Sequence, residues 1–102
     1  MDEYRVIVEM GAVSDLDEAM EWYEDRRRGL GFDLVMRFED ALAFLRSNPK
    51  IYQKVLGEFR RVLMKKYPYA IYYALEGKEV LVVAVWQTGK NPEVLRKRLG
   101  IE

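Results

Sequence analysis

The chain has 102 residues, 50% hydrophobic and 13% aromatic, enough apolar material for one core and too much for a disordered chain. It carries 17 Lys+Arg against 17 Asp+Glu, with no histidine and no cysteine. Disulfides, thiolate or imidazole metal centres and Ser-His or Cys-His nucleophilic pairs are thereby excluded, and no cofactor is expected. The zero net charge hides an asymmetry: residues 1–50 hold 7 basic against 12 acidic side chains, and residues 51–102 hold 10 against 5. The second half is thus suited to an anion or an acidic partner. No stretch approaches a transmembrane helix, and the acidic start MDEYRVIVEM is too short for a signal peptide. A single cytoplasmic domain over residues 1–102, with no membrane contact, is the expectation.

Tyr4–Met10 reads as a first strand, with Val6 and Val8 on one parity. Ser14 is the expected N-cap of a helix whose first turn holds Asp15, Asp17 and Glu18. Leu16, Ala19, Met20 and Tyr23 form its apolar stripe, Trp22 flanks it, and both aromatics read as core. Arg26-Arg27-Arg28-Gly29 closes the helix, cations at its negative end. The short Leu30-Gly31 link predicts an antiparallel second helix over Phe32–Ser47, which Asn48-Pro49 ends. Pro49–Gly57 is a connector anchored by Ile51, Tyr52, Val55 and Leu56.

Three strands follow. Arg60–Lys66 is the first, Tyr67-Pro68-Tyr69 a turn, Ala70–Glu76 the second, Gly77-Lys78 a tight hairpin and Val80–Trp86 the third. Asn91 then caps a short helix with Pro92 at its first position and Arg96-Lys97-Arg98 in its last turn. The fold class is α+β: an N-terminal strand, an antiparallel helix hairpin, a three-stranded antiparallel meander completing one sheet, and a short C-terminal helix.

Strand parity sharpens this. Ile71, Tyr73 and Leu75 oppose Ala70, Tyr72 and Ala74; Leu81, Val83, Val85 and Gln87 oppose Val80, Val82, Ala84 and Trp86. The hairpin can cover one face only. The other is expected to stay bare apart from the small terminal helix, and so to take a protein partner, with a homodimer as the alternative. Arg60, Arg61, Lys65, Lys66, Lys90, Arg96 and Arg98, with Tyr69, Tyr72 and Gln87, are the candidate binding residues of one basic, aromatic patch. Such a patch suits RNA or an acidic polypeptide; the plain alternative is charge that keeps an edge strand soluble.

SDLDEAMEWYED with GLGFDLVMRFEDALAFLRSNPKIY, and then RRVLMKKYPYAIYYALEGKEVLVVAVWQTGKNPEVLRKR, resemble the helix hairpin and sheet of the RelE/ParE superfamily of toxins from type II toxin–antitoxin systems. The resemblance covers nearly the whole chain. It implies a plasmid-stabilisation-type growth inhibitor silenced by a cognate antitoxin, in a toxin–antitoxin hetero-oligomer. Its target would be DNA gyrase, as for ParE-like members, or ribosome-bound mRNA, as for RelE-like endonucleases. Many relatives carry a histidine after the last strand and an arginine three residues on, where this chain has Gln87 and Lys90. Nuclease members often place Tyr or His in the final helical segment, where Leu95 and Leu99 stand. Arg61, Lys65 and Lys90 are the candidates for a catalytic cation, but cleavage by a 2′-hydroxyl also needs a proton acceptor and donor. A ParE-like binding toxin is therefore the first expectation, an endonuclease the second, and a non-toxic interaction module the third.

Overall fold

The computed structural model describes residues 3–101. β1 (Arg5–Val8) runs directly into α1 (Met10–Arg26), and α2 (Leu30–Ser47) returns beside it. The sheet continues with β2 (Lys54–Leu56), β3 (Phe59–Leu63), β4 (Tyr69–Glu76) and β5 (Glu79–Gln87), and α3 (Pro92–Arg98) closes the chain. Strand order is β1-β5-β4-β3-β2. β1 lies parallel to β5, from Arg5 opposite Glu79 to Val8 opposite Val82, and the other pairs are antiparallel. The α+β class and element order match expectation. The sheet has five strands because Pro49–Gly57 is not all connector: Lys54–Leu56 pairs with the start of β3 through a turn at Gly57, φ 54°. Of the four anchors expected there, Leu56 is buried, while Ile51 and Val55 are exposed.

Ser14 does not cap α1. The Glu9 amide still bonds Val82 O, as a ladder residue would, and the Glu9 carbonyl already accepts from Ala12 and Val13. The helix thus starts one turn early, straight off the sheet, with no side-chain cap. Between the helices the chain turns at Gly29, φ 95°, and Gly31 approaches α1 so closely that a Cβ would stand 2.7 Å from Met20 O. The Glu24 carboxylate accepts from the Gly29 and Gly31 amides, both at 2.9 Å, and those bonds hold its pKa below the ordinary glutamate value.

The main core lies between hairpin and sheet: Leu34, Phe38, Leu42 and Leu45 of α2 meet Val62, Ile71, Tyr73, Val80 and Val82. Strict alternation fails in β5. The register slips between Tyr72 and Tyr73, so Tyr72 faces Ala84 while Tyr73 faces Val82, leaving Val83 as an extra residue. Val80, Val82 and Val85 therefore share the helix side, and Ala84 and Trp86 the reverse side. The reverse side is not bare, which corrects the expectation. Leu95 of α3, with Leu99 and Ile101, closes over Leu56, Phe59, Ala70, Tyr72, Ala84 and Trp86. Seven helical residues suffice because β2 and β3 are short, leaving a narrow strip to cover.

Candidate functional site

The bulge and α3 are joined by one polar clasp. A bulge turns backbone groups out of the ladder, and each must find another partner. The Val83 carbonyl accepts from Arg98 Nη2 at 2.8 Å, and the Val85 amide donates to Asp15 Oδ2 at 3.0 Å. Arg98 and Asp15 bind one another through two bonds of 2.8 Å, a bidentate pair. That bond to Asp15 raises the Arg98 pKa above its ordinary value. Gly11, one turn before Asp15, leaves room for the guanidinium: a Cβ there would lie 3.4 Å from Arg98 Nη2. Asp15, expected as a first-turn charge, instead ties α1, β5 and α3 together.

Beside this clasp a cleft of about 200 Å3 opens between α1, the start of β4 and the end of β5. Glu18, Trp22 and Tyr23 line it from α1, Tyr69 from β4, Gln87 from the last position of β5 and Lys90 from the chain after it. Burial, and then Tyr23 and Glu18, push the Tyr69 phenol above its ordinary pKa. Lys90 Nζ lies 4.3 Å from the Trp86 ring centroid, and Arg98 Cζ 5.6 Å from it. The Trp86 indole nitrogen is buried without a hydrogen-bond partner among the described residues. The cleft offers aromatic faces, one amide and charges of both signs, the mixture that suits recognition of a partly polar ligand.

The other predicted site residues do not converge here. Arg60 donates to Tyr52 O at 2.6 Å and to Lys50 O at 3.4 Å, fastening the chain before β2. Lys66, at φ 76°, pairs with Asp33 at 2.8 Å, and Tyr67 donates to the same oxygen at 2.7 Å. Arg98 is taken by the clasp, and Tyr72 is buried beneath α3 with its hydroxyl 3.5 Å from Arg61. Arg61 is exposed on the reverse side, Lys65 lines a groove between α2 and β3, and Arg96 lies on α3. The single basic patch is thus a correction: its members occupy separate places, and Arg60, Lys66 and Arg98 serve the fold.

Trp22 was missed as a surface residue. It is 48% exposed, and the Arg26 guanidinium stacks 3.4 Å from its ring centroid. The i, i+4 spacing of Trp22 and Arg26 was the available signal.

A family model described as the ParE toxin of the type II toxin–antitoxin system parDE matches residues 6–92. Among solved structures, the fold resembles a chain of "Chromosomal ParDE TA system from P. aeruginosa" with a TM-score of 0.75. Identity is 13%, over 85% of this chain and 98% of that one, so this likeness speaks for the fold alone. No match is found among the curated proteins.

Proposed function

The chain belongs to the ParE toxin family of type II toxin–antitoxin systems, and from that premise we propose that it arrests growth by binding DNA gyrase and is neutralised in the cytoplasm by direct binding of a cognate antitoxin. The observation that carries this reading is the dispersal of the groups that phosphoryl chemistry would need. Cutting RNA requires a base, an acid and a cation around one phosphate. The sequence has no histidine, and Arg61, Lys65 and Lys90 stand on three separate surfaces. Tyr67 and Tyr73 are pushed up to about 12, chiefly by burial, away from the range of a base at neutral pH. Binding needs only shape and charge, which the cleft around Tyr69, Gln87 and Lys90 supplies. These three residues are the proposed target contacts.

A gyrase supercoiling assay with purified protein tests the reading. Inhibition, with accumulation of cleaved DNA–gyrase complexes, is the expected result; neither effect at high molar excess removes gyrase as the target. Transcript mapping after induction is expected to show intact mRNA, and cuts there would establish an endonuclease. Unimpeded growth on expression without an antitoxin would reduce the protein to an interaction module.

A further inference from the structure

We propose that the outer edge of β1 pairs with β1 of a second copy of this chain, antiparallel and centred on Ile7, so that two five-stranded sheets join into one. Nothing in this pairing depends on the functional reading above. β1 is a terminal strand of the sheet, and among the described residues no strand lies beyond it. The Arg5 amide donates to Lys78 O and the Glu9 amide to Val82 O, both at 2.9 Å. Backbone direction alternates along a strand, so Arg5, Ile7 and Glu9 turn their ladder groups to β5, and Val6 and Val8 turn theirs outward. Glu9 keeps extended backbone, φ −74° and ψ 159°, so the strand geometry lasts one residue beyond β1. The open stretch begins after Tyr4, whose amide, also on the outward parity, donates to Arg46 O at 2.8 Å.

The residues along the edge say which occupant fits and in which register. An antiparallel partner must set outward groups against outward groups, which leaves only registers two residues apart. With Val6 opposite Val8 of the second copy, two hydrogen-bonded pairs form about the symmetry axis. Ile7 then meets Ile7 of the second copy on that axis, at a site where facing side chains come closest. Arg5 meets Glu9 of the second copy on both sides of this apolar centre, so opposite charges face each other. Both side chains are exposed. Arg5 already lies 3.9 Å from Glu79 across the ladder, and a guanidinium has donors for two carboxylates. Met10 comes opposite Tyr4 of the second copy; at 81% it is the most exposed large apolar side chain among the described residues. Slipping by two in one direction sets Glu3 against Glu9. The opposite slip sets Ile7 against Glu9 and Arg5 against Gly11. One register therefore satisfies backbone, apolar contact and charge together. The pairing uses each edge once, so association closes at two chains. Short, charged edges resist pairing in general, and here the same charges select one partner, a copy of the strand itself.

The chain has no cysteine, so Ile7→Cys supplies a single thiol and makes the register measurable. Under mild oxidation this variant should link to itself as a covalent dimer, because a non-hydrogen-bonded antiparallel pair holds its Cα atoms within disulfide range. Arg5→Cys should stay unlinked, since in this register its own counterpart lies four residues along the strand, about 13 Å away. Any other pattern (both variants linking alike, neither linking, or Arg5→Cys alone) overturns the proposal. Sedimentation equilibrium of the unaltered chain should show a dimer that dissociates on dilution. Glu9→Arg brings like charges together on both sides of the axis and should raise the dissociation constant about tenfold or more. Adding Arg5→Glu to Glu9→Arg should restore dimerisation, and no recovery would count against the pairing. A chain that stays monomeric at about 1 mM, or a dimer indifferent to the single reversal, overturns it. Should Ile7→Cys not fold, the charge-reversal measurements decide alone.

Discussion

The two faces of the sheet are buried by different means. On the hairpin side, two helices of 17 and 18 residues lay apolar stripes across the strands in one continuous core. On the reverse side, one helix of seven residues seats a single fully buried leucine, Leu95, and is fastened by the Asp15–Arg98 pair at the β5 bulge. The first face is held by area, a non-directional force that tolerates small shifts. The second depends on one charged contact whose partners come from opposite ends of the chain. A helix of two turns has little stability of its own, so α3 is the element expected to open first.

The contrast can be broken by mutation, the heaviest blow first. Phe38→Ala should cost about 3–5 kcal/mol of global stability in denaturant titration, since Phe38 is only 2% exposed at the centre of the hairpin core. Asp15→Ala should cost less, about 2 kcal/mol, because it strands Arg98 and the Val85 amide without opening the main core. It should also speed amide exchange in α3 well before exchange in β4; equal acceleration everywhere would mean that the two faces unfold as one unit. Trp22→Ala should cost the least, about 0.5–1 kcal/mol, the scale of an exposed cation–π contact.

Titration sharpens the same comparison, because the hairpin side has its own polar tie in Asp33, Lys66 and Tyr67. Hydrogen bonds from Lys66 and then Tyr67 hold the Asp33 carboxyl below 3.8. The folded state is therefore favoured above that value, and the advantage is lost as pH falls through the lower folded pKa. Tyr67, by burial and then by Asp33, keeps its proton to about 12 against 10.0 for the unfolded phenol. Stability must then decline as pH rises from 10 towards 12. Asp33→Asn should flatten the acid limb of a melting-temperature profile, and Tyr67→Phe should flatten part of the alkaline limb, with Tyr73 supplying the remainder.

What was legible in the sequence follows the same division. Helical and alternating periods announced the hairpin, β4 and the Asn91-Pro92 start of α3, because local spacing reports one-sided burial. The bulge at Val83 was invisible, since VLVVAVW is apolar at every position and a parity flip leaves no mark on such a run. The covered reverse face followed from that slip and from how little area α3 must span. The charges misled for a related reason. Arg60, Lys66 and Arg98 look alike in sequence, yet each is taken by a partner 8 or more positions away, at Tyr52, Asp33 and Asp15. Spacing could not reveal those partners. Glu18, Tyr69, Gln87 and Lys90 meet in the cleft only because α1 crosses the ends of β4 and β5.

The seat of β1 has a consequence for the newborn chain. Arg5 to Val8 can dock only against Glu79 to Val82, the strand made last. While the ribosome is still producing the meander, the opening strand has no place in the sheet, and closing so long a loop is the slow step expected of such wiring. Docking of the first strand is thus deferred until β5 has been made, so the strand made first waits longest for its place in the sheet.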